Sequence, residues 1–215
     1  MPLPMVHMFV TETMFKEKNL EVNAHFLLGS ISPDAIHMRE NTNREDKRKT
    51  HFHLEEDMTV EHIFQSRLLP FIESCRNDAE RYWFAKGYAA HVLTDLIWTQ
   101  TVYQDFTRKI TEEQIGNARQ LYYSDTDQID FNFYKNESWR PQYWKLLENS
   151  KSFEVLEMIQ AEETEKWKIR ILHWFGDNAK EPGIEPRYIT EKQVRQFVQD
   201  TSCRLVNLYE HASFL

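Results

Sequence analysis

Glycine and proline are scarce, five and seven in 215 residues. That scarcity argues against a turn-rich β-sandwich or barrel, whose many tight turns draw on those two residues. Cysteine is scarcer still. Cys75 and Cys203 have no paired spacing, so they provide no disulfide framework and read as thiols in a reducing compartment. No apolar run approaches the roughly 20 residues that span a bilayer. The stretch Met1-Pro2-Leu3-Pro4-Met5-Val6-His7 has neither the basic region nor the long apolar region of a secretion signal. A surplus of positive charge is also missing: 26 Lys and Arg face 34 Asp and Glu, a net charge of −8. An extended nucleic-acid footprint needs a basic surface, so that class of partner is disfavoured. A small phosphorylated molecule held by one local cation or a metal is not. These absences leave a cytoplasmic globular protein without a transmembrane segment, its oligomeric state open.

What is present is core-forming material: 41% hydrophobic residues, 13% of the chain aromatic. No strand-type alternation is sustained, and apolar residues recur at helical spacing. The fold class is therefore all-α, a single-domain multi-helix bundle over residues 1–215. Its histidine-rich half extends to about residue 108, and a chemically quieter half covers about 109–215. Helices are expected over Pro4–Lys18 and Asn23–Ile31, the second ended by Gly29-Ser30-Ile31-Ser32-Pro33. Pro33 should leave Ser32 extended and Asp34 at the head of a loop. Arg39–Lys49, dense in charge, reads as a solvated loop. His51-Phe52-His53 reads as extended, with the two imidazoles on one side. Thr59 caps a helix to about Cys75 that Pro70 kinks or shortens, and Asp78 begins a long helix to about Arg108. Further helices are expected over Thr111–Tyr123, Ser138–Leu147, Phe153–Phe175 and Thr190–His211. Ser124–Glu137 is mixed enough to hold a break, and Glu181-Pro182-Gly183-Ile184-Glu185-Pro186 is a loop.

The long helix carries Gly87-Tyr88-Ala89-Ala90-His91-Val92-Leu93-Thr94-Asp95-Leu96-Ile97-Trp98. His91 and Asp95 are four residues apart, on one face and about 5–6 Å apart at Cβ. Both sit among apolar residues, where a carboxylate must be paired or bound to metal. A buried His–Asp hydrogen bond and a pair of metal ligands both satisfy that requirement. The histidines are unevenly placed: His7, His25, His37, His51, His53, His62 and His91 precede residue 92, and only His173 and His211 follow. Imidazole and carboxylate together suit zinc or a similar divalent ion.

An ordered set of elements carries a resemblance: Val6-His7, then Gly29-Ser30-Ile31-Ser32-Pro33-Asp34, then Thr50-His51-Phe52, then Gly87 to Asp95. It resembles the zinc-dependent phospholipase C family, whose superfamily includes zinc-dependent single-strand nucleases, and within it the cytoplasmic bacterial branch of metal-dependent hydrolases. The resemblance covers roughly residues 5–105. It implies a helical bundle with a metal cluster at one end, in which Asp34, His51, His91 and Asp95 match the ligands of one ion. His7 matches a ligand of a neighbouring ion that shares the carboxylate at Asp95. Asp34 also matches a carboxylate proposed as general base. The secreted members place a further ligand six residues after that of Asp95, where this chain has Thr101. They also use a processed N-terminal amine. The resemblance therefore implies one ion, leaves a second open, and disfavours three. It implies hydrolysis of a small phosphate ester, phosphodiesterase or phospholipase C-like, through a metal-activated water. The alternative is a non-catalytic helical protein that keeps a structural or regulatory metal. Around the cluster, His37, His53, Arg39, Lys86 and Trp98 are candidate pocket residues, and Lys47 is a further cation able to face a leaving oxygen.

Overall fold

The computed structural model describes residues 3–55, 57–155, 157–178 and 180–214. Helix α1 is Pro4–Glu17, opened by a proline whose missing N–H costs nothing in the first turn. Helix α2 is Ala24–Gly29, capped by Asn23, which accepts from the His25 and Phe26 N–H groups at 2.9 and 3.2 Å. A 3-10 helix, Ser32–Met38, precedes α3, Arg44–Thr50. Helix α4, Val60–Ile63, passes through a wide π turn, Phe64–Leu68, into α5, Leu69–Ser74. Helix α6, Ala79–Trp98, passes through a second π turn, Thr99–Tyr103, into α7, Gln104–Lys109. A 3-10 helix, Glu112–Asn117, then leads to α8, Ala118–Asn136, followed by α9, Arg140–Glu148, α10, Ala161–His173, and α11, Glu191–His211. Among the described residues the fold is all-helical, with one isolated β-bridge between Val155 and Ile159. Among the described residues no helix is long and apolar enough to cross a membrane.

Several local expectations are corrected. Pro33 does end α2, but it then occupies the first turn of the 3-10 helix, so Ser32 is not extended and Asp34 lies in a helical turn, not at the head of a loop. The second half of the charged Arg39–Lys49 segment is α3. Asn43 accepts from the N–H groups of Glu45 and Asp46 at 2.7 and 3.1 Å, and the Asp46 carboxylate returns to the Asn43 N–H at 3.0 Å. Glu45 and Asp46 fall in its first turn and Lys47, Arg48 and Lys49 in its last, which suits the helix dipole; Arg44, at the first position, runs against it. His51-Phe52-His53 is not extended: His51 ends α3, and Phe52 and His53 turn with φ of 54° and 50°. Residues 124–136 continue α8 without a break, and the helix expected from Phe153 begins only at Ala161, behind the Val155–Ile159 turn. Pro70 does not end its helix early: it falls in the first turn of α5, just after the π turn, and the helical run reaches Ser74.

Every residue from Phe84 to Trp98 of α6 is buried, as expected for a helix apolar on all sides. Its closest neighbour is α2. A Cβ on Gly87 would lie 1.9 Å from the Phe26 carbonyl oxygen, and one on Gly29 would lie 2.1 Å from that of Phe84. The two backbones therefore touch through glycines. The second half of the chain closes around this pair. Trp167 Nε1 donates to the Ile31 carbonyl at 2.7 Å, the Met5 N–H to Asp130 at 3.1 Å, and Ser202 to the Val10 carbonyl at 3.1 Å.

Two outcomes follow from this packing. Gly87→Ala should lower stability by about 3 kcal/mol or more, since backbone must move. For a chain of this size that is a Tm loss of roughly 6–12 °C. Gly116→Ala, where an added Cβ meets nothing within 4 Å, should change little in the same thermal melt. Burial lowers the Lys86 ammonium from 10.5 to about 8. Its folded pKa lies below its unfolded value, so the penalty of burying its charge is full below pH 8 and is relieved as pH rises toward 10.5. Urea titrations between pH 8 and pH 10 should show wild type gaining stability relative to Lys86→Met; a constant difference would contradict this.

Candidate metal centre

Four elements bring five side chains to one point: His7 from α1, Asp34 from the first 3-10 helix, His51 from the end of α3, and His91 with Asp95 from α6. The three imidazoles and Asp95 are buried, at 2%, 5%, 1% and 2% exposure for His7, His51, His91 and Asp95. His7 Nε2 lies 3.5 Å from Asp95 Oδ1. His51 Nε2 lies 3.3 Å from Asp95 Oδ2 and 3.7 Å from Asp34 Oδ1. His91 Nε2 lies 3.9 Å from an oxygen of each carboxylate. The His7 and His91 rings stack at 3.8 Å.

The other ring nitrogens decide what these atoms can be. His91 Nδ1 is 2.9 Å from the Ser30 carbonyl oxygen; His51 Nδ1 is 3.0 Å from that of Lys47 and 2.9 Å from the Thr50 hydroxyl, which itself donates to the Lys47 carbonyl at 3.0 Å. A carbonyl only accepts, so Nδ1 carries the proton in both rings and a neutral ring turns a bare Nε2 lone pair inward. Burial, with His7 alongside, holds the His91 imidazole down to about 3, outweighing the nearby carboxylates. It is therefore neutral at physiological pH, and its lone pair faces carboxylate oxygens. Burial alone would raise the Asp95 carboxyl; only His51 and His7 nitrogens that carry a proton toward it, or a cation in their place, hold it well below the usual range. Burial likewise opposes ionisation of Asp34 and is outweighed by Lys47, His91 and His51. Both ring nitrogens of His7, Nε2 of His51 and His91, and both oxygens of Asp95 are buried without a hydrogen-bond partner.

Such a set of acceptors aimed at one another is satisfied by a cation. Two groups have ligand atoms within 4.8 Å of one another, His7–His91–Asp95 and Asp34–His51–His91. They share His91. With Nδ1 committed to Ser30, its one remaining lone pair can serve one ion at a time. Each group is two imidazoles and one carboxylate, a borderline-to-hard donor set that zinc accepts.

A cleft of about 530 Å³ opens onto the centre, lined by His51, Asp95, Leu96 and Thr99 on one side and by His37, Arg44, Lys47 and Arg48 on another. The model of the family described as zinc-dependent phospholipase C matches residues 6–176. The chain belongs to the zinc-dependent phospholipase C family. That match runs well past residue 105, so the family pattern extends through α8 and α10. No curated protein and no solved structure matches the chain. The family's description supplies the metal class, zinc, for which the centre's donor set is suited.

The remaining candidates separate clearly. His37 lies on the cleft, its Nε2 3.1 Å from Lys47 Nζ, and burial together with that ammonium lowers its pKa. Lys47 also donates to Asp34 at 2.8 Å. Arg39 turns away and forms a bidentate pair with Glu163 of α10 at 2.7 and 2.9 Å. Lys86 points to the opposite end of its helix, over the Trp83 ring and donating to the Phe214 carbonyl at 3.0 Å. Trp98 is core: its Nε1 donates to Tyr122 at 2.9 Å, and its ring meets Phe197 edge-on. His53 is exposed beside Glu45. Thr101 is exposed too, its hydroxyl donating to the Ile97 carbonyl at 2.6 Å. Sequence reasoning missed the carbonyls of Ser30 and Lys47, which have no side-chain signature. It also missed Tyr88, whose hydroxyl donates to the Thr50 carbonyl at 2.7 Å and ties the end of α3 to α6.

Zinc-replete protein should hold about one ion per chain by elemental analysis, and His91→Ala or Asp95→Ala should remove it. At a free-zinc concentration a thousandfold above Kd the folded state gains about 4 kcal/mol. A chelator should then lower Tm by roughly 8–16 °C in wild type and leave both variants unmoved. Wild type without bound metal under those conditions would exclude a metal centre.

Proposed function

We propose that this protein is a metal-dependent phosphoric ester hydrolase acting on a small phosphodiester. The observation that carries this reading is the convergence of orphaned, inward-facing imidazole and carboxylate atoms on a cleft whose other wall is cationic. His51, His91 and Asp95 would hold the ion, with Asp34 beside them and His7 Nε2 3.5 Å from the other oxygen of Asp95. A zinc or similar divalent ion supplies Lewis-acid polarisation of a phosphoryl oxygen and lowers the pKa of its water toward about 7.

The chain's own groups do the rest. Lys47 keeps Asp34 ionised and holds one of its oxygens, leaving the other free to orient a water and take its proton. His37 and the Lys47 ammonium face the cleft, where an ester phosphate presents its oxygens. Ile36, Leu54 and Leu96 give that cleft an apolar floor that limits competing water. Asp34 is also the residue that separates this reading from a structural metal site. If Asp34 stays with Lys47, three protein ligands leave a position open, as catalytic zinc requires; if it ligates, four ligands close the site.

Zinc-loaded protein should hydrolyse bis(p-nitrophenyl) phosphate and lose that activity on chelation. Asp34→Asn should retain zinc while kcat falls about 10²–10⁴-fold, the scale of a lost general base. His51→Ala should lose both zinc and activity. Zinc leaving with Asp34→Asn, in an inactive wild type, would instead favour the closed, non-catalytic centre.

A further inference from the structure

The wall of the cleft beside the centre carries more positive charge than the hydrolysis itself employs. Helix α3 sets Arg44, Lys47 and Arg48 at i, i+3 and i+4, which places them on one helix face, and all three line the cleft. Lys47 is engaged by Asp34 at 2.8 Å. Arg48 is held only loosely, by an exposed Glu45 at 3.3 Å. Arg44 has no ion pair or side-chain hydrogen bond among the described residues. In a chain of net charge −8, this is a local reversal of sign. The acidic residues lining the same cleft are Asp95, which faces the metal ligands, and Glu55.

Helical rise places Lys47 about 6 Å and Arg44 about 10 Å along the α3 axis from His51. A phosphate held at the centre would therefore lay its esterified group along a row of cations. A cationic substituent would be repelled there. A second phosphate or carboxylate would meet a guanidinium able to bind it through two parallel N–H bonds.

We propose that the α3 wall selects phosphate esters carrying a second anionic group, a phosphate or carboxylate a few atoms from the scissile ester, over neutral and cationic esters. This rests on the phosphoester reading of the centre, with Arg44 and Arg48 as the specificity-determining residues.

Three p-nitrophenyl phosphodiesters with the same scissile bond test it, their second alcohol being ethanol, choline or 2-phosphoethanol. In zinc-loaded full-length protein, kcat/KM should be highest for the 2-phosphoethyl ester and at least about tenfold above the choline ester. That ratio should shrink as salt shortens the Debye length from about 10 Å toward 3 Å. The double variant Arg44→Glu, Arg48→Glu should reverse the order, and the single exposed change Arg44→Gln should give an intermediate ratio. Because the readout is a ratio within one preparation, partial folding or loading does not move it. Equal values for the three esters, or a preference for choline, in wild type would overturn the proposal. If none of them turns over, the hydrolase reading fails by itself and calorimetry decides the charge preference. Ethylene glycol bisphosphate should then bind about tenfold tighter than ethyl phosphate or phosphorylcholine, with the difference lost in the double variant. Equal affinities, or a difference that survives in the variant, would reject the role of the wall.

Discussion

Two backbone carbonyls control the chemistry of the centre. Those of Ser30 and Lys47 accept from Nδ1 of His91 and His51 and so turn the Nε2 lone pairs inward. The Ser30 carbonyl can reach His91 because α2 lies directly against α6, with Gly29 and Gly87 each facing a carbonyl oxygen of the other helix. A side chain at either position would push the helices apart and take the carbonyl out of reach. The glycine contact thus belongs to the site as much as to the core, although neither glycine touches a ligand atom.

Without a cation the centre is unfavourable. Ring nitrogens and carboxylate oxygens are left without hydrogen-bond partners, and burial removes the water that would otherwise satisfy them. Such an arrangement persists because the rest of the fold over-determines it. Helix α6 is buried along fifteen consecutive residues, Phe84 to Trp98, and α1 and the first 3-10 helix are pinned by bonds from the second half of the chain, Met5 to Asp130 and Trp167 to Ile31. The second half thus has a part in the chemistry while contributing no side chain to the two candidate ligand groups.

The helical architecture was legible where a cap and an apolar stripe coincide, as at Asn23, Thr59, Asp78 and Thr190, whose side chains all cap as their sequence context indicates. It was not legible at α3, which buries only Thr50 and so has no periodic stripe; its one signal was the Asn43–Asp46 capping box, hidden in a run of charge. For the site, an ordered set of His and Asp could be read along the chain, but the direction of each neighbouring side chain could not. Arg39, Lys86 and Trp98 are near the ligands in sequence and turn elsewhere, because Glu163, the Phe214 carbonyl and Tyr122 come from packing that spacing does not encode. Arg44 and Arg48 were invisible for the opposite reason: read as loop, they had no common face.

Helix α3 has a further consequence. A seven-residue helix with one buried side chain is tied to the body by the Tyr88 hydroxyl on the Thr50 carbonyl, by Lys47 on Asp34 and, just past its end, by Arg67 on the Phe52 and His53 carbonyls. It belongs to the part of the molecule that opens at low free energy, ahead of global unfolding. Its opening would withdraw His51, Lys47 and both arginines in one movement. An ion held in part by His51 would then be released in the same movement that removes the charged wall, so fraying of this segment would limit how long it stays.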